Sequence, residues 1–435
     1  MKELNNKKLL ILGGNALSCD IVRAAKDLGA YTIVTDWNTP QQSPAKLLAD
    51  EYWDVSISDY DTLSQRIKEH QVDGVFTSFT DSYLLHYQHL CEINGLPYYA
   101  SREAFEKAID KDKFKHMCKE NGVPTVPEYD AVTFDPTNLS EKNAIIIKPV
   151  DNSGARGITY CDSPLEYPQA IEHALSYSPS KHVIIEKFIQ NGGTSMSVRY
   201  IAIDGKIHLQ AVGDRYVLDD TRGKALITAA AFYPSKHTDE YISTLDAKVR
   251  NMFHRVGVRN GALFMESFWT PEGIFFYEMG LRLSGGQTYK MTEIATNTNE
   301  LRMMVRFALT GKMCDEQEEN RIDPYMDGHA MCSITVPLRQ GTIAEIVGME
   351  AIEKLPQVYA VSWKLGVGDT IEPEHLGTLF QLLCRISVVA TNQEQLAETI
   401  GYIINHLSVR DTEGNEMFIK TKLQKIFEDY AHKRA

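Results

Sequence analysis

Two acids and an arginine between residues 261 and 286 have a spacing that could place charged groups together on one sheet face. The segment reads GALFMESFWTPEGIFFYEMGLRLSGG, which predicts two strands joined by a turn at TPEG. Counting outward from about Glu272 places Glu266 opposite or nearly opposite Glu278, and Arg282 shares their face if the strand continues that far. Opposed like charges destabilise a sheet unless water or a cation lies between them. Carboxylate oxygens suit Mg²⁺, which keeps other positions for water and phosphates.

The alternative is that this hairpin lies on a solvated sheet face and that its acids only keep it soluble. Phe264, Phe268, Ile274 and Phe276 share the phase of the two acids. An acid among apolar side chains needs a partner to offset its desolvation. The sequence therefore favours a cation at this site.

A lysine and a glycine loop follow an apolar strand earlier in the chain, in AIIIKPVDNSGARGITYC. Backbone N–H groups of such a loop can bind a phosphate, and Lys148 supplies a positive charge for the same anion. HVIIEKFIQNGG places Glu186 and Lys187 at another strand end, which could offer a carboxylate and main-chain groups to a purine. The alternatives are an ordinary hairpin at the glycine loop, a solvated strand end at Glu186 and Lys187, and a surface position for Lys113 in KDKFKH.

The elements that position these residues begin with an alternating pattern over residues 8–100. Strands KLLILGGN, YTIVTDWN and GVFTSFTD alternate with helices, which predicts a parallel sheet whose carboxyl edge carries Gly13, Gly14, Asp36, Thr80 and Asp81. The glycines and Asp36 partly match a dinucleotide fingerprint, but the third glycine is missing. A plain Rossmann-like turn is favoured over an NAD site.

The remaining chain divides into two further parts. SREAFEKAIDKDKFKHMCKEN predicts one charged helix over 101–121, and short strands separated by glycine turns then predict an antiparallel α+β unit ending near residue 325. Strands and a helix from about Gly328 predict a smaller closing domain. We expect domains at 1–100, 101–325 and 326–435.

Composition limits the classes of partner. The 435 residues carry a net charge of -13 and no lysine- or arginine-rich run, which argues against nucleic acid as a partner. No segment has the length and apolarity of a membrane span or the shape of a secretory signal. Seven scattered cysteines without a CxxC pair predict reduced thiols and a cytoplasmic protein.

The chain resembles the ATP-grasp superfamily, especially the carboxylate–amine ligases related to biotin carboxylase, carbamoyl-phosphate synthetase and bacterial L-amino acid ligases. The resemblance spans nearly the whole chain and rests on the order of Lys113, Lys148 with its glycine loop, Glu186, Glu266, Glu278 and Arg282. It implies an α/β and α+β fold with a Rossmann-like preATP-grasp domain, a two-subdomain ATP-grasp core and a smaller carboxyl-terminal α+β domain. Because relatives are often dimers, it also implies a homodimer.

The resemblance implies a nucleotide site in which Lys113 and Lys148 bind the ATP phosphates, with Lys148 also near the adenine. Glu186 would accept a hydrogen bond from the adenine amino group. A loop that includes Ser153, Gly154, Arg156 and Gly157 would close over the phosphates. The backbone of Lys187, Phe188 and Ile189 would lie beside the purine and complete the site.

The resemblance further implies that Glu266 and Glu278 hold Mg²⁺ or Mn²⁺ and that Arg282 is the catalytic residue that steadies the transferred phosphoryl group. Two departures stand out. Many relatives read Glu-x-Asn at the second metal strand, where this chain has Gly280. Relatives also often place a glutamate near the ribose, where this chain has the segment 193–195.

These features predict a ligase that uses ATP to activate a small-molecule carboxylate as an acyl phosphate, which the amine of an amino acid or similar molecule attacks. Phosphoryl transfer to a carboxylate gathers negative oxygens, so it requires cations, and a labile acyl phosphate requires a closing lid. Arg215, Arg222 and Arg282 are candidates to meet a carboxylate. There are three alternatives. The first is an enzyme that uses bicarbonate, as carboxylases and carbamoyl-phosphate synthetase do. The others are a non-catalytic ATP-binding module and an NAD-linked oxidoreductase.

Overall fold

A parallel sheet forms from the amino-terminal strands, as their alternation with helices predicts. The computed structural model describes residues 3–151, 157–190, 194–218 and 227–432. The strands are β1 (Lys8–Leu12), β2 (Tyr31–Thr35), β3 (Glu51–Trp53) and β4 (Gly74–Phe76), and the helices are α1 (Ser18–Leu28), α2 (Ala45–Leu48), α3 (Tyr60–His70) and α4 (Asp81–Asn94). The strand order is β3-β2-β1-β4, with all pairs parallel. Such strands are continuously apolar because both sheet faces are covered.

The glycine turn after β1 is occupied by the chain's own side chains. The Gly14 N–H donates to Asp36 Oδ2 at 2.8 Å, and the Ser43 hydroxyl donates to the same oxygen at 2.6 Å. The ring of Tyr83 covers Gly13, where φ is 81° and an added Cβ would lie 2.3 Å from the ring. Asp36 therefore closes the turn from within, which favours the plain Rossmann-like turn over an NAD site.

Two helices occupy the region where the sequence predicts one over residues 101–121. They are α5 (Arg102–Ile109) and α6 (Lys111–Glu120), separated by Asp110 in an extended conformation. The Asp110 carboxylate accepts hydrogen bonds from the N–H groups of Asp112 and Lys113, each at 2.9 Å, and so caps α6. The predicted single helix is therefore wrong at this position, and the break makes Lys111 the first residue of a new helix.

A small antiparallel sheet follows. Its elements are β5 (Glu128–Tyr129), β6 (Ile145–Pro149), β7 (Thr159–Cys161) and β8 (Val183–Lys187), with α7 (Tyr167–Ser176) packed against them. The strand order is β5-β8-β6-β7. Because β6 and β8 are neighbours, Lys148 and Glu186 come from adjacent strands.

An eight-stranded sheet forms the centre of the molecule. Its strands are β9 (Thr194–Ile203), β10 (Lys206–Val217), β11 (Thr228–Tyr233), β12 (Gly261–Thr270), β13 (Gly273–Gly280), β14 (Ala330–Pro337), β16 (Val358–Trp363) and β18 (Leu382–Ala390), in the order β13-β12-β9-β10-β11-β14-β18-β16. The sheet crosses the expected boundary at residues 325 and 326, because β11 pairs with β14. The domain limits stay predictions, and the second and third expected domains share this one sheet.

Helices and a small third sheet complete the structure. The helices are α8 (Thr238–Tyr241), α9 (Ala247–Val256), α10 (Tyr289–Ala295), α11 (Glu300–Thr310), α12 (Glu316–Glu319), α13 (Met349–Glu353), α14 (Gln393–His406) and α15 (Lys420–His432), and a π turn, Ile242–Asp246, joins α8 to α9. β15 (Gly341–Val347), β17 (Thr370–Ile371) and β19 (Ser408–Asp411) form a sheet of order β17-β15-β19. All seven cysteines are free thiols. Within the described ranges, no helix combines the length and apolarity needed to cross a membrane.

Candidate functional site

Glu266 and Glu278 are directly opposed on β12 and β13, as the spacing predicts. A bulge at Tyr277 makes this register, since Ser267 pairs with Phe276 and the next pair is Glu266 with Glu278. The bulge also separates Phe276 from the acids, and its ring packs near Tyr241 in the core instead. The expectation that Phe276 shares the acids' face is therefore wrong, and Tyr277 lies at the site in its place, with its ring centre 5.6 Å from Lys148 Nζ.

The two carboxylates differ in their partners. Glu266 is buried, and its Oε2 is paired with Arg215 Nη1, while its Oε1 accepts from the Ser197 hydroxyl at 3.3 Å and lies 3.6 Å from Arg199 Nη2. Burial and the neighbouring charge of Glu266 raise the pKa of Glu278, against the lowering effect of Arg282. A divalent cation between the two acids would remove this repulsion, so the donor set fits Mg²⁺.

Arg282 lies beside this pair but is held by another part of the chain. β13 ends at Gly280, so Arg282 is not part of the strand. Its Nε and Nη2 donate to the two oxygens of Asp81, the first residue of α4, at 2.6 and 2.7 Å. Burial alone would lower the pKa of Arg282, but Asp81 and Glu278 raise it, so the guanidinium stays charged. The bidentate pair fixes its plane next to Glu278.

Phe264 explains why Gly280 stands where relatives often carry asparagine. Phe264 pairs with Gly280 across the hairpin, and a Cβ added to Gly280 would lie 2.3 Å from the Phe264 ring. The guanidinium carbons of Arg199 and Arg282 lie 5.3 and 5.0 Å from the centre of the same ring. An aromatic ring therefore fills the space beside Gly280 and lies near both arginines.

Lys148 and Glu186 form the centre of the candidate nucleotide site. Glu186 Oε2 is paired with Lys148 Nζ, and Glu186 Oε1 lies 2.5 Å from Lys115 Nζ. Burial would raise the pKa of Glu186, but the two lysines reverse this effect and hold it below its ordinary value. Glu186 is thus an anion that positions Lys148. Its prediction as an acceptor for an adenine amino group would require the carboxylate to serve a third partner as well.

Lys111, not Lys113, faces this cluster. Lys113 is exposed, and its Nζ pairs with Glu106 at 3.2 Å on the outer surface. Lys111 is half-buried, and its backbone N–H donates to the Val150 carbonyl at 3.3 Å, directly after β6. Burial lowers the pKa of Lys111, while the nearby carboxylate of Glu278 opposes that shift. The helix break at Asp110 thus replaces the predicted lysine with one two residues earlier.

The predicted phosphate loop is described only at its end. Ser153, Gly154 and Arg156 lie outside the described residues, as does Arg222. Gly157 has φ 78°, and a Cβ there would lie 2.5 Å from Tyr177 and 2.8 Å from Pro149. This position therefore requires glycine for packing, whatever its part in ligand binding.

The predicted purine backbone lies at the end of β8. The N–H groups of Lys187 and Phe188 donate to the carbonyls of Pro127 and Ala144, each at 2.9 Å. These two donors are therefore used within the protein. The Phe188 ring packs edge-on against Tyr160 at 4.9 Å, so the slot beside this backbone has an apolar wall.

No model of a known protein family matches the chain. Among proteins of known name, the 2-oxoglutarate carboxylase small subunit of Hydrogenobacter thermophilus is 23% identical over 342 residues, covering 73% of this chain and 70% of the relative. The formate-dependent phosphoribosylglycinamide formyltransferase of Bacillus subtilis is 23% identical over 316 residues, covering 70% of this chain and 77% of the relative. Both alignments cover more than two thirds of each protein.

Solved structures match almost the full length. An L-amino acid ligase from Bacillus licheniformis superimposes with a TM-score of 0.76 at 19% identity, covering 94% of this chain and 99% of that protein. A phosphoribosylglycinamide synthetase from Anaerococcus prevotii gives 0.72 at 19% identity, covering 93% and 100%. The biotin carboxylase domain of the Hydrogenobacter thermophilus 2-oxoglutarate carboxylase also gives 0.72, at 18% identity, covering 94% and 91%. The chain has the ATP-grasp fold. The predicted fold class is therefore confirmed.

In this ATP-grasp fold, four further residues lie at the site that the sequence alone did not single out for it: Lys111, Lys115, Arg199 and Arg385. Asp81 was expected only at the sheet edge, and it proves to be the anchor of Arg282. Arginines inside apolar strands, as in SMSVRYIAI and LLCRISVVA, are the one local signal that could have revealed Arg199 and Arg385.

Proposed function

We propose that the chain is an ADP-forming ligase that uses ATP and Mg²⁺ to activate a small-molecule carboxylate as an acyl phosphate. An amine, from an amino acid or a similar molecule, then attacks the acyl carbon, a carbon–nitrogen bond forms and phosphate leaves. The observation that carries the proposal is the Glu266 and Glu278 pair, forced together across two strands and surrounded by arginines and lysines.

The residues of the site divide between binding and orientation. Glu266 and Glu278 would hold Mg²⁺, which neutralises phosphate oxygens when bound. Lys148 and Lys111 would meet the ATP phosphates, with Lys111 taking the part first expected of Lys113. Arg282, fixed by Asp81, would steady the transferred phosphoryl group without having to reorganise. Gly280 leaves the metal two carboxylates from this hairpin, which supports one tightly held ion.

The chemistry of the relatives supports a carboxylate acceptor. One sequence relative is formate-dependent by name, and one structural neighbour is an L-amino acid ligase. Formate and amino acids share a carboxylate that can accept a phosphoryl group. The neighbouring biotin carboxylase domain is a dimer in its crystal, which supports a homodimer for this chain.

A second candidate function is phosphorylation of bicarbonate. The biotin carboxylase domain that superimposes on the chain binds MgADP and bicarbonate. Bicarbonate is itself a small carboxylate-like anion, so the same metal pair and arginines would serve it. ADP release that requires bicarbonate, and that no organic acid supports, would favour this alternative.

ADP release tests the proposal directly. The protein should release ADP from MgATP only when a carboxylate and an amine are both present, across a panel of amino acids and small acids. Glu278→Gln should reduce the rate at least about a hundredfold, because the metal loses a charged ligand. Glu272→Gln, at the exposed turn of the same hairpin, is the matched control and should retain full activity.

Two results would contradict the ligase. ATP binding that survives Glu278→Ala, with no hydrolysis by the parent protein on any acid and amine, would indicate a non-catalytic ATP-binding module. Equal rates of ADP release by Glu278→Gln and by the parent protein would show that the Glu266 and Glu278 pair does not take part in the reaction. Replacing Mg²⁺ by Mn²⁺ in the same assay asks whether the site accepts both ions.

A further inference from the structure

Three arginines from separate strands lie near one another, and two of them, Arg199 and Arg215, lie beside Glu266. They are Arg199 on β9, Arg215 on β10 and Arg385 on β18. Burial lowers the pKa of Arg385, and the positive charges of Arg215 and Arg199 lower it further. Arg385 thus reaches the site from the carboxyl-terminal part of the eight-stranded sheet.

The acids nearby do not balance this charge. Glu266 is the carboxylate shared by Arg215 and Arg199, and it is also a proposed metal ligand. Glu300 lines the same small cavity as Arg199 and accepts a hydrogen bond from the Thr292 hydroxyl at 3.1 Å, but burial raises its pKa to about 7 although the charge of Arg199 opposes the shift. A metal that takes Glu266 would therefore leave the arginines without a full counter-charge.

Arg199 and Arg385 retain unused donors. Arg199 is only 8% exposed, yet its Nε and Nη1 have no hydrogen-bond partner among the described residues. Among those residues, the hydrogen bonds of Arg385 go only to neutral acceptors, the Gly286 carbonyl at 3.3 Å and the Ser333 hydroxyl at 3.5 Å. The buried, unpaired guanidinium nitrogens of Arg199 are costly, so they indicate a missing acceptor.

Gly286 lies between the two arginines. A Cβ added there would lie 3.6 Å from Arg199 Nη2 and 3.8 Å from Arg385 Nη1. The glycine therefore keeps the space between the two guanidinium groups free of a side chain. Since Arg199, Arg282 and Ser284 line one small cavity, this space is close to the proposed phosphoryl site.

We propose that Arg199 and Arg385 bind a second anionic group on the substrate whose carboxylate is activated, beside Gly286. The substrate class is thus a dicarboxylate or a phosphorylated carboxylate, both of which offer the oxygens that guanidinium groups bind in pairs. This inference rests on the proposed function, since the first carboxylate is assigned to the metal and Arg282.

Binding to the nucleotide-loaded protein tests the inference without turnover. Calorimetric titration into the full chain saturated with MgADP should show that succinate, glutarate or adipate binds at least about tenfold more tightly than butyrate. The three diacids sample the distance between the two anionic groups. 3-Phosphonopropionate replaces the second carboxylate and identifies which anion the arginines prefer.

Arg385→Met should abolish the preference for diacids and leave MgADP binding unchanged. Arg410→Met, at an exposed arginine on β19, is the matched control and should behave as the parent protein. Equal binding of butyrate and all dianions, or a diacid preference that survives Arg385→Met, would overturn the inference while leaving the ligase proposal intact. Failure of the parent protein to bind MgADP would instead overturn the proposed function, and the inference with it.

Discussion

The charge of Glu278 destabilises the folded protein when no cation lies beside it. Its carboxylate is opposite Glu266, and burial and that charge raise its pKa. A raised folded-state pKa favours the folded state below the unfolded carboxyl pKa of about 4.3, and this contribution is lost as pH rises through the folded value. At neutral pH the charged pair therefore destabilises the protein.

Glu278→Gln should accordingly stabilise the protein by up to about 1 kcal/mol at pH 7 in the absence of Mg²⁺, which would raise its melting temperature. The gain should shrink as pH falls toward 4, where the parent carboxylate becomes protonated. Scanning fluorimetry over this pH range measures the effect. A variant that melts below the parent protein at pH 7 would show that Glu278 stabilises the site through its charge.

Gly280 is the residue of the hairpin where the Phe264 ring leaves no space for a side chain. Gly280→Ala should destabilise the protein by about 1–3 kcal/mol, since its Cβ would overlap the Phe264 ring. Gly285→Ala is the control, because a Cβ there meets Leu17 at an ordinary 3.7 Å. Urea unfolding measures both variants. If Gly280→Ala is as stable as Gly285→Ala, the ring does not exclude a side chain from this position.

Local spacing predicts some residues of the site and not others. The spacing within a short hairpin brings Glu266 and Glu278 nearly opposite each other, and the bulge at Tyr277 makes them directly opposed. Arg282 and Asp81 meet only through tertiary packing, so their pairing could not be predicted from either segment. Arg385 reaches the site because β14 and β18 extend the central sheet, which one strand sequence does not reveal.

At the scale of elements, the helix break at Asp110 decides which lysine reaches the site. An uninterrupted helix would fit the charged, helix-favouring segment equally well, which is why sequence reasoning predicts one. Asp110 instead accepts hydrogen bonds from two N–H groups of α6 and starts a second helix at Lys111. A capping aspartate is a weak signal amid so many charged residues.

Lys111→Met should weaken MgATP binding about tenfold, because a half-buried cation next to Glu278 would be lost from the phosphate site. Lys113→Met should leave the affinity unchanged, since Lys113 faces solvent with Glu106. Fluorescent-nucleotide titration compares the two. Weaker binding by Lys113→Met than by Lys111→Met would restore the lysine that the sequence first indicated.

At the scale of the whole molecule, the segment after β13 joins three parts of the chain. Arg282 binds Asp81 of the first domain, and the Gly286 carbonyl accepts from Arg385 of the carboxyl-terminal part. Lys290 Nζ lies 2.8 Å from Asp20 of α1 and donates to the Ser362 hydroxyl of β16 at 3.0 Å. One segment thus connects the amino-terminal part of the chain, the β12–β13 hairpin and the last strands of the central sheet.

Asp20 is the main acceptor in this junction, since it also binds Gln287 and Tyr289 at 2.9 and 2.6 Å. Asp20→Ala should destabilise the protein by about 3 kcal/mol, because it removes the acceptor of the buried Gln287 and Tyr289 side chains and the charge partner of Lys290. Asp27→Ala, at an exposed residue of the same helix, should change stability by less than about 1 kcal/mol. Denaturant melts that coincide for the two variants would refute the role of this junction.

The strand pairing of β11 with β14 has a mechanical consequence. Strands from two expected domains are hydrogen-bonded into one sheet, so the carboxyl-terminal part cannot pivot against the core without breaking that ladder. The small sheet of β5 to β8 contacts β13 through a short main-chain link, in which Val126 and Phe276 donate to the carbonyls of Phe276 and Pro124, each at 3.0 Å. A movement of the small sheet away from β13 would therefore have to break these two hydrogen bonds, and Lys148 and Glu186 would move with the sheet.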